Sequence, residues 1–326
     1  MSAQAPIASP FTASSTAQEV IAGIDLSGKC AVVTGGYAGL GLETVRVLRL
    51  AGAQVIVPAR DLEKARRNLA DMPDVRIEPL DLMDPTSIDD FAGRVLADHP
   101  TLDLLINNAG TMAGPLLRDG RGYESQFSTN VLGHFHLTCR LWPALTAAQG
   151  ARVVALSSAN HHADIAALLH DPNFARRPYD PWQAYAQSKA ATALFAVALD
   201  ALGRSKGVRA YPVHPGGIFE TDLARHMDPA IAEAYGMIDK EGRPIIAPEK
   251  GWKNSQQGAA TTIWAATSPM LAAIGGVYCA DCNISALVEP GNQALTTNAV
   301  SPSVIDQVSA GRLWQICEQL SGVALD

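Results

Sequence analysis

Residues 31–41 read Ala31-Val-Val-Thr-Gly-Gly-Tyr-Ala-Gly-Leu-Gly41, and no other stretch of the chain limits its fold so tightly. A short apolar run ends at Val33, and glycines follow at 35, 36, 39 and 41. A helical pattern then begins, with Leu42, Val45, Leu48 and Leu50 apolar and Glu43 and Arg46 between them. The pattern predicts a strand, a glycine-rich turn and a helix. Such a turn lets the backbone approach a pyrophosphate closely, and the helix N-terminus adds N–H donors and a favourable dipole. The glycines are spaced Gly35-x-x-x-Gly39-x-Gly41, not as the common Gly-x-Gly-x-x-Gly fingerprint. Taken alone, a glycine turn also serves purely structural ends.

The rest of the chain repeats the alternation. Apolar runs predict strands at 29–34, 54–58, 75–79, 102–107, 152–157, 208–214 and 276–278. Helical patterns fall at 41–51, 62–71, 88–98, 122–147 and 182–203. This order predicts an α/β fold of the doubly wound, Rossmann type, a parallel sheet with helices on both faces, as a single domain over 26–290. Residues 1–25, rich in Ala, Ser and Thr, are expected to form a loosely attached arm with a helical turn at 17–22. An insert rich in polar residues and proline spans 160–181, the segment 220–252 is long enough for a lid, and 291–326 forms a C-terminal extension.

Composition narrows the function. Hydrophobic residues make up 48% and charged residues 17% of 326, enough for a large core and too few charges for a disordered chain. The formal charge of −7, without a basic stripe, argues against nucleic acid as a partner. No apolar run reaches the ~18 residues of a membrane span, and no secretory signal is expected. Five cysteines form no disulfide framework and fit reduced thiols in the cytoplasm. Cys279 and Cys282 have CxxC spacing, but no second pair supports zinc, and they precede no helix, so an inert reading is preferred and no metal is expected.

The chemistry points to Tyr185 and Lys189. At i and i+4 of a helix they share one face. A free tyrosine titrates near pH ~10. A fixed positive charge nearby lowers that value, so Tyr185 so tuned can protonate a carbonyl oxygen or deprotonate an alcohol.

Together with the glycine turn, the chain carries Asn107-Asn108-Ala109-Gly110, Asn130, the pair Ser157-Ser158, Tyr185-x-x-x-Lys189 and Pro215-Gly216. In this order and spacing the motifs resemble the short-chain dehydrogenase/reductase family over about 30 to 290. Asn130-Val-Leu-Gly-His-Phe135, Ser158-Ala-Asn-His-His162 and the long insert before Tyr185 are similar to its retinol-dehydrogenase-like branch.

The resemblance implies a site, position by position. Ser158 holds the substrate oxygen, Tyr185 is the general acid or base, Lys189 binds the nicotinamide ribose and lowers the Tyr185 pKa, and Asn130 holds a water linking Lys189 to solvent. Gly35, Tyr37, Gly39, Leu40 and Gly41 form the phosphate turn. Asp81 and Leu82 hold the adenine, while Asn108, Ala109 and Gly110 wall the adenosine pocket. Pro215, Gly216, Ile218 and Thr221 line the nicotinamide. Where NAD-preferring relatives place an acid after the second strand, this chain has Ala59 and then Arg60, with Lys64 one turn on. A guanidinium there binds a 2′-phosphate in forked geometry, so NADP(H) is expected over NAD(H). The competing reading pairs Arg60 with Asp61 or Glu63 on the surface, and Tyr37 stands where many NADP-preferring relatives carry a basic residue.

Two segments are expected to shape the substrate pocket: Leu168, Leu169, Phe174 and Trp182 in the insert, and Leu223, Met227, Tyr235, Met237 and Ile238 in the lid, with Arg225, His226 and Lys240 at the rim. Their apolar character suits a bulky hydrophobic ketone, aldehyde or alcohol. The alternatives are reduction of an enone carbon–carbon double bond and a non-catalytic nucleotide-binding scaffold. His134, His136, His161 and His162 are read as solvated or pocket-lining. The resemblance implies a homodimer or homotetramer joined through the helices of Asn130 and Tyr185. Leu132, Phe135, Leu137, Leu141, Ala191, Leu194 and Phe195 then supply either that face or core. The tail with Trp314 is expected to cap the substrate site or a neighbouring subunit.

Overall fold

A strand buried on both faces needs an unbroken apolar run rather than alternation. Val32, Val33, Leu105, Ile106, Val153 and Val154 meet that need and are fully buried in the computed structural model, which describes residues 4–288 and 298–325. The strands of the main sheet are β1 (Cys30–Val33), β2 (Gln54–Ala59), β3 (Arg76–Pro79), β4 (Leu104–Asn107), β5 (Ala151–Leu156), β6 (Val208–His214), β7 (Cys279–Ala280) and β8 (Asn283–Ile284). Among the described residues they form one sheet in the order β3-β2-β1-β4-β5-β6-β7-β8, parallel up to β7, with β8 antiparallel. The order reverses between β1 and β4, so a crevice opens beyond the carboxyl ends of those two strands.

The helices are α1 (Ala17–Ile21), α2 (Gly39–Leu50), α3 (Leu62–Asn68), α4 (Pro85–Asp98), α5 (Ser125–Phe127), α6 (Gly133–Ala147), α7 (Ile165–His170), α8 (Pro181–Gly203), α9 (Pro229–Ala234), α10 (Ser255–Thr267) and α11 (Gln307–Ser321). One core layer joins α4, α6, α8 and α11 to the sheet, and a second joins α1, α2 and α10 to its other face. The doubly wound parallel fold expected from the alternation is the fold observed.

Four local expectations change. The helix expected over 122–147 starts at Ser125, because Gly122 has φ +87° and the Glu124 carboxylate caps the N–H groups of Gln126 and Phe127. A π-helical turn, Ser128–Leu132, separates α5 from α6 and contains Asn130. The last parallel strand lies at Cys279–Ala280 rather than 276–278. There the Tyr278 N–H donates to the Gln4 side-chain oxygen, and the Tyr278 carbonyl accepts from the Gln4 amide and from the Ser285 N–H. Helix α3 ends at Asn68, short of the expected 71.

Residues 4–25, expected as a loose arm, are tied down. Gln4 and Ile7 bond to Tyr278, Ser285 and Asn283, and Ala17, Val20 and Ile21 are buried in the α10 side of the core. Thr16 and Glu19 close a capping box at the start of α1. The boundary expected at 290/291 lies outside the described residues. Among the described residues of the tail beyond it, Trp314 lies in the core and not at the substrate site: α11 packs on α8, and Trp314 stacks on Phe195 at 6.0 Å and meets Phe135 edge-on at 4.8 Å. The apolar residues proposed as an association face are therefore core. Leu132, Phe135, Leu137, Leu141, Ala191, Leu194 and Phe195 are all buried. Among the described residues, no helix is long and apolar enough to cross a membrane.

Candidate active site

The crevice beyond β1 and β4 is a cleft of about 580 Å³. Thirteen of the residues expected to hold a dinucleotide line it: Gly35, Tyr37, Gly39, Leu40, Gly41, Arg60, Lys64, Asp81, Leu82, Asn108, Ala109, Gly110 and Thr221. The turn needs its glycines. A Cβ on Gly41 would lie 2.2 Å from the Gly35 carbonyl oxygen, and Gly39 has φ +51°. The Asn108 side chain ties β4 to the turn by donating to the Thr34 carbonyl at 2.8 Å. The Asp81 carboxylate is fixed by the Met83 N–H at 2.9 Å.

Pro215, Gly216 and Ile218 do not line this cleft but stand beside it. Gly216, at φ +99°, lies on the stem of buried Lys253, which pairs with Asp281 at 2.6 Å. The Gly217 N–H donates to the Gly251 carbonyl at 2.8 Å, and the Lys253 N–H to the Gly217 carbonyl at 2.9 Å. This end of the lid is thus pinned to β7 and β8. Sequence reading missed Lys253 and Asp281, because nothing local links two charges 28 residues apart.

Arg60 is exposed and makes no ion pair among the described residues, so its pairing with Asp61 or Glu63 is not seen. Lys64 instead meets Asp222 of the lid at 2.6 Å. Arg225 and His226 also line the cleft.

The residues expected to react converge where the cleft meets α8. Asp180 caps this helix and Pro181 starts it. Tyr185 is buried, and its hydroxyl faces the Ser158 side chain. Ser157 is spent elsewhere, donating to the Lys189 carbonyl at 2.8 Å, which leaves Ser158 as the serine facing Tyr185. The Ser158 carbonyl accepts from the Tyr278 hydroxyl at 2.8 Å and His161 Nδ1 at 2.7 Å. Lys189 Nζ donates to the Leu156 carbonyl at 2.7 Å and lies 5.7 Å from the Tyr185 ring centre. A Cβ on Gly110 would lie 3.3 Å from Asn130 Oδ1 and 3.6 Å from Lys189 Nζ, so cleft and reacting groups share a wall.

The Asn130 side chain bonds both backbone groups of Thr111 and donates to Ser188 Oγ at 2.9 Å. Its own carbonyl accepts from His134 Nδ1 at 3.1 Å. The expectation for the histidines is corrected. His134, His136 and His161 are buried and bonded to protein, to Thr34, Asp89 and Ser158 respectively, while His162 is exposed as expected.

The electrostatics also differ from expectation. Burial pushes the Tyr185 hydroxyl up to about 12, with the Ser158 hydrogen bond opposing it. Burial also pulls Lys189 down to about 8. The neighbouring amine does not make the phenol acidic here, because desolvation outweighs any charge effect and the ammonium is turned to Leu156. The buried thiols of Cys279 and Cys282 are pushed up by burial, Cys282 to about 12, which suits inert core residues.

Beyond Tyr185, Met112, Ala113, Trp182, Leu223, Ala224 and Met227 make an apolar wall. Of the residues expected to shape the pocket, Trp182, Leu223 and Met227 reach this wall. Leu168 and Phe174 are buried away from it, and Tyr235 is exposed. Met112 and Ala113, which no local signal marks, are held by Gln126, whose Oε1 accepts from the Ala113 N–H at 2.9 Å.

Known proteins can be set against this geometry. Residues 29–170 match the family model for short chain dehydrogenase. A probable oxidoreductase of Streptomyces lividans is 40% identical over 90% of this chain and 97% of that protein. The short-chain dehydrogenase/reductase prx1 of Penicillium roqueforti is 33% identical over 90% of this chain and 84% of its own. Among solved structures, the RhlG/NADP active-site complex of Pseudomonas aeruginosa superposes with a TM-score of 0.61 at 27% identity, covering 78% of this chain and 95% of that one.

Proposed function

The chain belongs to the short-chain dehydrogenase/reductase family, and on that premise we propose that it is an NADP(H)-dependent oxidoreductase that interconverts a bulky hydrophobic ketone or aldehyde and its alcohol. The observation that carries this reading is the pair of hydroxyls, Ser158 and Tyr185, facing each other beside the wall that Gly110 shares with Lys189. Two donors in that position suit one carbonyl oxygen. The glycine turn, which a Cβ at Gly41 would fill, suits a pyrophosphate. NADP(H), when bound, supplies or accepts the hydride.

The residues of the chain do the rest. Ser158 holds the substrate oxygen. Tyr185 gives its proton to that oxygen in reduction and takes it back in oxidation. Lys189 keeps donors beyond the one spent on Leu156, and these suit ribose hydroxyls. Asn130 fixes the loop that carries Met112. Arg60 and Lys64 line the adenosine end of the cleft, and that supports NADP(H) over NAD(H). The apolar wall of Met112, Trp182, Leu223 and Met227 supports a hydrophobic substrate. Five buried cysteines, none of them in a disulfide, fit a reducing compartment such as the cytoplasm.

The test is a panel of bulky ketones, aldehydes, alcohols and enones assayed with NADPH and NADH in parallel. Alcohol product from the carbonyls, faster with NADPH, is expected. A saturated ketone from the enones would replace this reading with carbon–carbon double-bond reduction. Nucleotide binding without turnover of any class would make the protein a scaffold.

A further inference from the structure

A chain of buried hydrogen bonds links the dinucleotide turn to the catalytic helix, and every proton in it can be assigned. Thr34 Oγ1 accepts from the N–H groups of Asn108 at 2.9 Å and Ala109 at 3.0 Å. Both acceptor positions are then used, so its single proton points outward. The nearer acceptor is His134 Nε2 at 2.9 Å, against 3.3 Å for the Ile106 carbonyl. An accepting Nε2 puts the ring proton on Nδ1, which donates to the Asn130 carbonyl. Asn130 Nδ2 donates to Ser188 Oγ at 2.9 Å, and Ser188 Oγ donates to the carbonyl of Tyr185 at 2.8 Å.

Thr34, His134, Asn130 and Ser188 are each at most 2% exposed. The bonds on either side of Asn130 run in one direction, and the Asn130 backbone and side chain join the two halves through its own rigid placement. We propose that His134 is a positioning residue for the reaction. In one fixed tautomer, it holds the π-turn carbonyl of Asn130 and thereby couples the dinucleotide turn to the placement of Tyr185. Burial that lowers the His134 pKa to about 4 keeps the ring neutral, as the proton assignment requires. The π turn gives the link its geometry, since the register that opens at Ser128–Leu132 brings the Asn130 carbonyl opposite the ring.

This inference rests on the reductase reading, and its test separates the two. Side-chain 15N NMR of the ligand-free protein, with the signals of His134 identified by their loss in His134→Phe, reads the tautomer without any turnover. The expected result is the Nδ1–H form, unchanged between about pH 5.5 and 8.5. An Nε2–H form, or titration in that range, overturns the proposal. In the assay, His134→Phe should lower kcat by at least about tenfold while the Kd for NADPH stays within about threefold, and His134→Asn, which keeps a donor toward Asn130, should recover part of the loss. A kcat near that of the unchanged protein, or a loss that follows cofactor binding, overturns it. If His134→Phe does not fold, its signals are identified by their loss in His134→Asn. The comparison of His134→Asn with His134→Gln, which keeps only the acceptor for Thr34, then decides, with His134→Asn expected to be the more active. Absence of turnover in the unchanged protein would sink the reductase reading and leave the tautomer result standing.

Discussion

At the scale of the residue, the site is governed by desolvation. Tyr185 is held as a neutral phenol, with its pKa near about 12, and Lys189 is held near about 8. A proton donor is therefore present across the neutral range, which favours reduction. The reverse direction needs the phenolate, whose fraction rises about tenfold per pH unit below its pKa. Alcohol oxidation is expected to climb steadily into the alkaline range. Ketone reduction should stay level up to about pH 8 and fall above it as Lys189 loses its charge. Rate profiles in both directions check this, and an oxidation optimum at or below neutral pH would contradict it. At the adenosine end, Arg60→Ala should weaken NADPH binding about tenfold and leave NADH within about twofold, because only the 2′-phosphate uses the guanidinium. Nucleotide fluorescence titrations of both cofactors read the difference.

At the scale of the element, α11 seals the face formed by α6 and α8. Trp314 fills the gap between Phe135 and Phe195, so Trp314→Ala should cost about 3–5 kcal/mol, measured by urea unfolding. A cost below about 1 kcal/mol would mean that the tail is not part of the core. The strands β1 to β6 were legible because apolar runs buried on both faces announce themselves in sequence. So was the glycine turn, where four glycines between 35 and 41 end an apolar run and open a helical pattern. The register of Asn130 was not legible. A π turn depends on what meets its carbonyl, here a histidine bonded to a threonine about a hundred residues earlier in the chain. The Lys253–Asp281 pair and the wall of Met112 and Ala113 were hidden for the same reason, since each is made by tertiary contact. The acidity of Tyr185 was misjudged because spacing shows that a charge is near but not how much water is lost.

At the scale of the whole molecule, the segment expected as a lid touches two places at once. Leu223 and Met227 lie in the apolar cluster with Tyr185, and Asp222 reaches Lys64 across the dinucleotide cleft. The ion pair is exposed and contributes at most about 1 kcal/mol, so the apolar contacts hold the lid. A dinucleotide lying between those walls should slow deuterium uptake in 219–228. Equal uptake with and without NADPH would show that the lid does not take part in binding. The central claim, that the Tyr185 hydroxyl is the proton donor to the substrate oxygen, is tested most directly by single-turnover reduction in Tyr185→Phe loaded with NADPH. The account predicts unchanged NADPH affinity and a rate lower by at least about a hundredfold. A rate within a few fold of the unchanged protein would contradict it.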